Sequence, residues 1–223
     1  VSDFERATKA GYDAIAERYA EHFSGELWGK ESDRDVLVAY AEGVRAAGGG
    51  KVADVGSGPG RVTAFLHELG LDVHGIDLSS AMVALARREH PHLRFEQGSM
   101  MALDLADGAL AGLVAWYSII HVVPDRLPEV FAEFGRVLAP GGRLLLAFQV
   151  GNEPLHFDEA FGHRVDLDFH RLDPERVTGL LAAAGFRVRT RLVRPPVGRE
   201  STHQAFIAAR KHDERPAAQR LTR

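Results

Sequence analysis

The sequence contains no cysteine. Disulfides, thiolate nucleophiles and cysteine-ligated metals are therefore excluded. The absence is compatible with a cytoplasmic protein, the localisation expected here. No apolar run approaches the roughly 18–20 residues of a membrane span. The longest, near Leu144 to Val150, is strand-sized, so no membrane association is expected. Residues 1–19 are charged and helix-patterned, without the apolar centre of a signal peptide. Basic charge is not in excess either: 27 Lys and Arg stand against 31 Asp and Glu, for a net charge of −4. Such a balance offers a polyanion no general attraction, which disfavours nucleic acid as a partner.

What is present reads as one α/β domain. A length of 223 residues with 45% hydrophobic content suits a single core, and no internal repeat or second domain is visible. Residues 3–22 and 32–47 carry helical periodicity, and Gly48-Gly49-Gly50 ends the second stretch. From Lys51 strand and helix alternate. Strands are expected at 51–55, 72–76, 93–97, 113–117 and 143–150, and helices at 59–69, 79–89 and 126–138. This alternation implies a mostly parallel sheet covered by helices on both faces. Residues 151–172 break the rhythm. A helix at 174–184 follows, then strands at 186–193 and 203–210 with no helix between them, which should pair antiparallel. Polar residues 211–223 read as a disordered tail.

The most informative segment is Val52-Ala53-Asp54-Val55-Gly56-Ser57-Gly58-Pro59-Gly60. A strand enters a glycine turn and a helix leaves it. Such glycines allow positive φ and close approach of a ligand to the main chain, and the helix N-terminus offers free N–H groups. A dinucleotide fingerprint would require a third glycine at position 61, which is Arg61. A pyrophosphate would also be repelled by Asp54, whereas a cationic group such as an amino acid's ammonium would be attracted. Asp77 follows Gly60 by seventeen residues, at the end of the second strand. A carboxylate there can accept hydrogen bonds from both hydroxyls of a ribose. The plainer reading makes the glycines a tight turn and Asp77 a loop carboxylate. The two features on consecutive strand–helix units favour a ligand with ammonium, ribose and adenine, that is, S-adenosylmethionine.

Residues 51–150 resemble the class I S-adenosylmethionine-dependent methyltransferases. VADVGSGPG is similar to their first motif and GIDLS to the second, which brings Leu78 beside Asp77. FEQGSMMALDL resembles the segment that cradles adenine, and LAPGGRLLLAF the turn and strand that close the core. The resemblance extends over about 160 residues once the C-terminal hairpin is included. It implies a single Rossmann-like domain with a seven-stranded, mostly parallel sheet, an antiparallel last strand and an N-terminal helical cap. It implies S-adenosyl-L-methionine as cofactor, S-adenosyl-L-homocysteine as product, a small-molecule acceptor and no metal. Gly56, Ser57, Gly58 and Gly60 are expected along the cofactor. Many relatives hold the adenine amine with an Asp where this chain has Ser99. Adenine is therefore expected against the main chain of Ser99 and Met100, with Met82 or Met101 on the ring. In similar enzymes the N-terminal segment is a lid, which would bring Tyr19 to the methionine carboxylate. Tyr12 and Tyr19 could equally just dock the helix.

The acceptor is expected beyond the fourth strand, at Trp116-Tyr117-Ser118-Ile119-Ile120-His121. Trp116 is expected at the cofactor and Tyr117 at the substrate. His121 is the candidate general base, since its ordinary pKa lies near neutrality; a structural role is its rival. In residues 151–172, Val165, Leu167 and Phe169 alternate with Asp166, Asp168 and His170, so Asp168, His170 and Arg171 are candidate substrate contacts. The competing description is a solvated strand face. His156, His163 and His170 recur every seven residues, which on a strand puts neighbours on opposite faces and argues against a metal.

The expected organisation is a cap or lid at 1–50, a core at 51–210 with an insertion at 151–172, and a tail at 211–223. Methyl transfer to a small molecule is the expected activity, by a monomer or homodimer. The rivals are an NAD(P)-dependent oxidoreductase, disfavoured by the glycine spacing, and a non-catalytic cofactor-binding subunit, disfavoured by the polar insertion.

Overall fold

Successive residues of the central strands enter two different cores, as the two-residue period of a strand requires. Val52, Val114 and Leu145 pack to one side, whereas Ala53, Val55, Leu113, Ala115, Leu144, Leu146 and Phe148 pack to the other. Both faces of the sheet are thus apolar and both need helices to cover them. The computed structural model describes residues 2–25 and 29–213. In chain order its elements are α1 (Asp3–Phe23), α2 (Glu31–Ala46), β1 (Lys51–Val55), α3 (Arg61–Glu68), β2 (Asp72–Asp77) and α4 (Ser80–Glu89). They continue with β3 (Phe95–Gln97), β4 (Leu110–Trp116), α5 (Leu127–Val137), β5 (Leu138–Gln149), β6 (Pro154–Ala160) and β7 (His163–His170). The last are α6 (Pro174–Ala183), β8 (Phe186–Arg194) and β9 (Gln204–Lys211).

Seven strands form one sheet in the order β3-β2-β1-β4-β5-β9-β8. β1 to β5 are parallel, and β9 runs antiparallel to both β5 and β8. Leu37, Tyr40 and Val44 of α2 and Leu66 of α3 fill one core, and Phe131 and Phe134 of α5 with Leu181 of α6 fill the other. Each such side chain contributes roughly 1.5–3 kcal/mol on burial. The strand order reverses between β1 and β4, which opens a crevice at their carboxyl ends. Among the described residues no helix is long and apolar enough to cross a membrane.

Four expectations need correction. β4 starts at Leu110 and ends at Trp116, since Tyr117 takes a left-handed φ of 53° that leaves the strand. β3 is only Phe95–Gln97. β5 begins at Leu138 and carries Pro140-Gly141-Gly142 as an irregularity, its register passing from Leu110–Leu138 to Gly112–Arg143. Finally, Lys211 belongs to β9 rather than to a tail, and its Nζ donates to the Leu138 carbonyl at 2.7 Å. His212 and Asp213 are also held, by the Gly185 carbonyl at 3.0 Å and by Arg210 at 3.0 Å, and the remainder of the expected tail, 214–223, lies outside the described residues.

The insertion is a complete hairpin. β6 and β7 pair antiparallel as a separate two-stranded sheet, turning at Phe161 and Gly162, both at positive φ. Leu167 is buried against Gly11 of α1, where a Cβ would come within 2.7 Å of a Leu167 methyl. The missing side chain lets α1 lie directly on β7.

α2 is tied down by charge. Arg194 donates to both oxygens of Asp33, at 2.8 and 3.0 Å, and to Glu200 at 2.8 Å, while Lys30 pairs with Glu200 at 2.7 Å. Asp33 and Arg194 are nearly inaccessible. Without Asp33, Arg194 and Lys30 share the single carboxylate of Glu200, and the buried network is one negative charge short. Asp33→Ala is therefore expected to lower the unfolding free energy by about 3–5 kcal/mol in urea denaturation. A loss of less than about 1 kcal/mol, the range of exposed pairs, would show the network to be incidental.

Candidate active site

The carboxyl ends of β1 to β4 and the inner side of α1 enclose a cleft of about 980 Å³, part of it open to solvent. Its floor is the turn after β1. Gly56, Gly58 and Gly60 have φ of 76°, 54° and 87°, all left-handed. Gly56 meets a second constraint, because a Cβ there would lie 2.2 Å from the Ser118 Cβ across the β1–β4 crevice. Ser118 closes that crevice by donating to the Val55 carbonyl at 2.7 Å. At Gly58 a Cβ would meet nothing within 4 Å, so this glycine presents bare backbone to the cleft. Gly60 does not line the cleft; it starts α3 against Phe95.

Two carboxylates stand behind the turn. Asp54 accepts from Thr63 Oγ1 at 2.7 Å through Oδ2, whereas its buried Oδ1 has no hydrogen-bond partner. Burial pushes its pKa up to about 7, against the Thr63 bond. Asp77 accepts from the Gly58 N–H at 2.7 Å and the Ser79 N–H at 2.8 Å. It too is raised by burial, to about 6, against those two bonds. One carboxylate thus cross-links the turns after β1 and β2. Ser57 Oγ, also buried, lacks a partner as well. Neither carboxylate is paired with a cation among the described salt bridges, and two acceptors in this state suit a ligand that brings donors or positive charge.

α1 roofs the cleft and is held by polar contacts. Asp13 accepts from Ser79 Oγ at 2.6 Å and from the Ala81 N–H at 3.0 Å, placing a negative charge at the start of α4. Tyr12 meets His121 Nε2 at 2.8 Å, and His121 Nδ1 meets the Asp168 carbonyl at 2.9 Å. A carbonyl only accepts, so Nδ1 carries the proton and Nε2 accepts from the tyrosine hydroxyl. Burial lowers the His121 pKa to about 4. The ring is therefore neutral near pH 7, with both nitrogens engaged. It links α1 to β7, and the free base expected from the sequence is not what this geometry presents.

Leu78, Met82, Ser99, Met100, Met101, Trp116, Tyr117, His121 and Tyr19 all line the same cleft as Asp54, Ser57 and Asp77. Asp168 and His170 line a second cavity with Asp166, Phe4 and Thr8, which meets the first at His121. Arg171 lines neither; it packs on Gly151 and its guanidinium reaches Ser201 at 3.3 Å. The Asp168 carboxylate bonds His156 Nδ1 at 2.9 Å, so only its main chain touches His121. Among the described residues no three His, Asp or Glu side chains are grouped to hold a metal ion.

Sequence reasoning missed Glu5, Lys9, Arg61 and Ser79 in the cleft wall. Arg61, noted only for breaking a dinucleotide fingerprint, lies over the rings of Tyr19 and Phe23 at 5.9 and 5.8 Å and donates to the Phe23 carbonyl. A cation opening a helix beside a glycine turn was the available signal. Glu5 was legible only as the fourth residue of a Ser-x-x-Glu helix start.

Residues 52–142 match the model of a methyltransferase domain. Over 136 residues the chain is 32% identical to a demethylmenaquinone methyltransferase of Beutenbergia cavernae, covering 61% of this chain and 55% of that one. The chain spans about half the length of the curated relatives it matches. Two solved structures share the fold across nearly the whole chain. One is magnesium protoporphyrin IX methyltransferase from Synechocystis PCC 6803 with bound SAM, at TM-score 0.71 and 16% identity, covering 95% of this chain and 98% of that one. The other is a Burkholderia thailandensis 1,6-didemethyltoxoflavin-N1-methyltransferase, at TM-score 0.67 and 22% identity, covering 96% and 92%.

The turn geometry sets a graded expectation. Gly56→Ala forces both a strained φ and a clash with Ser118, and should cost about 3 kcal/mol or more of stability. Gly58→Ala carries only the φ strain and should cost about 1–2 kcal/mol. Equal losses in denaturant titrations would contradict the close approach of β1 and β4.

Proposed function

We propose that this chain, whose core is a class I S-adenosylmethionine-dependent methyltransferase domain, binds S-adenosylmethionine in the cleft and transfers its methyl group to a small molecule. The observation that carries the reading is the buried, unpartnered Oδ1 of Asp54 beside the glycine turn. An ammonium is the donor that such an oxygen needs, and Asp77 lies one strand away to accept ribose hydroxyls. When bound, the cofactor supplies a methyl on a sulfonium sulfur whose departure leaves a neutral thioether. The chain then has to orient, enclose and exclude water.

Within this reading, Gly58 lets the methionine portion approach the main chain, and Tyr19 and Arg61 face its carboxylate. Ser99 to Met101, together with Met82 in the same cleft wall, would hold the adenine. Trp116 and Tyr117 lie where β4 ends, and the left-handed backbone of Tyr117 aims its ring into the cleft at a cost of about 1–2 kcal/mol. His121 positions rather than abstracts a proton: it fixes Tyr12 over the site and joins the lid to the hairpin. The acceptor enters through the second cavity, past Asp168 and His170, and a screen of metabolites with labelled cofactor identifies its class.

The raised pKa of Asp54 makes the cofactor step pH-dependent. Below about 7 its carboxyl is mostly protonated in the free protein. An ammonium favours the ionised form, so binding releases a proton and strengthens as pH rises through that value. Affinity for S-adenosylhomocysteine should increase roughly tenfold from pH 6 to pH 8 and level off above. Asp54→Asn, which keeps an acceptor for Thr63 but turns an amide toward the ammonium, should bind at least about tenfold more weakly at pH 8 and lose most of the slope. Calorimetry at several pH values checks both. An unchanged slope in the variant would assign the titration to another group.

A further inference from the structure

One buried carboxylate in the cleft has no part in that account. Glu5, on the first turn of α1, is 7% exposed and faces inward. Its Oε2 accepts from both the backbone N–H and the hydroxyl of Ser2, each at 2.8 Å. Its Oε1 accepts from the hydroxyl of Ser99, a residue 94 positions away. Ser99 Oγ accepts in turn from the Met101 N–H at 3.0 Å. The Ser99 hydroxyl is thereby oriented, with its O–H directed at Glu5 Oε1. Oε2 is saturated, whereas Oε1, with one bond made, keeps an acceptor position. A helix-capping glutamate needs only its contacts to Ser2. The reach to Ser99 and the burial in the cleft wall go beyond that need.

The location says what the free position is for. Three carboxylates line the cleft: Asp54 at the end of β1, Asp77 at the end of β2, and Glu5 at the segment after β3. On the reading above, ammonium, ribose and adenine lie in that order along the same wall. The exocyclic amine is the adenine ring's hydrogen-bond donor, and the hydroxyl of Ser99 is already committed. We propose that Glu5 accepts the hydrogen bond from the adenine amine, so that the lid helix itself reads the base. The assignment rests on the cofactor reading and deepens it. Hydrogen bonds from Ser99 and Ser2 hold the Glu5 pKa below the usual carboxylate range despite burial, so the group is an acceptor throughout the neutral range. It also gives lid closure a chemical trigger, since a ligand without the amine forgoes a contact between α1 and the body.

The test compares S-adenosylhomocysteine with S-inosylhomocysteine, in which a carbonyl oxygen replaces the amine and would face the carboxylate. Calorimetry on the wild-type chain should show a preference for the adenine ligand of about tenfold or more. Glu5→Gln, whose amide can turn its NH₂ to the carbonyl, should reduce that preference to about threefold or less. Ser2→Ala removes the capping partner while leaving the carboxylate at Ser99, and should keep the wild-type ratio. An unchanged ratio in Glu5→Gln, an equal collapse in Ser2→Ala, or no preference in the wild type would each overturn the assignment while leaving the cofactor reading intact. Should Glu5→Gln fail to fold, Glu5→Asp, which withdraws the carboxylate by one methylene, should lose the preference in its place, and an unchanged ratio there overturns the assignment equally. Failure of the wild type to bind either ligand would overturn both.

Discussion

The carboxylate of Asp77 holds the two ends of the binding cleft in one geometry. It accepts from Gly58 in the turn after β1 and from Ser79 at the start of α4. Two strand–helix connections are thereby locked by one side chain, and the remaining lone pairs are left to the cleft. Burying a carboxylate is expensive unless its oxygens are bonded. Here the backbone N–H groups offset only part of that cost, since Asp77 stays raised to about 6 and Asp54 to about 7. Two shielded acids, neither paired with a cation among the described salt bridges, form a site complementary to a donor-rich or cationic ligand. The parallel sheet makes the arrangement possible because β1 and β2 end side by side, with Asp54 opposite Gly75 in the register.

The helix that roofs the cleft, α1, follows the same pattern of contacts. α1 carries Asp13 to the N-terminus of α4, Tyr12 to His121 and Glu5 to Ser99. Each contact joins α1 to a different element around the cleft, and apolar docking accompanies them: Ala16, Tyr12, Tyr19 and Ala20 cluster with Met82 and Leu85, Phe4 packs on the main core, and Leu167 fits over Gly11. The hairpin β6–β7 belongs to the same assembly, because His121 bonds Asp168 on β7 with one nitrogen and Tyr12 on α1 with the other. The helix α1 and the hairpin are therefore joined through a single neutral ring.

Much of the fold was legible in the sequence because the strand–helix alternation and the glycine turn are local signals. The mostly parallel sheet, the antiparallel pairing of β8 with β9, and the carboxylates at the ends of β1 and β2 follow from that pattern; Ser99 came from the family resemblance, and the strand order was not read from the sequence. What was not legible depended on contacts between distant segments. Nothing near His121 shows that Tyr12, 109 residues earlier, occupies its Nε2. Nothing near Glu5 shows that Ser99 will be its partner. The insertion yielded one strand from its alternation, whereas β6 was missed because Leu155 and Phe157 remain largely exposed and Pro154 opens the strand. The Phe161-Gly162 turn was the available clue. Arg171 looked functional by proximity to His170, but the chain turns there and directs it to Ser201.

The central claim is that the cleft is shaped for a nucleoside bearing an ammonium rather than for a pyrophosphate. Titration calorimetry with S-adenosylhomocysteine and with NADH under identical conditions tests it most directly. The account predicts a measurable affinity for S-adenosylhomocysteine, one bound ligand per chain, and no detectable heat of binding from NADH, because the carboxylate of Asp54 stands behind the turn where a pyrophosphate would lie. Binding of NADH in the absence of any S-adenosylhomocysteine binding would contradict it.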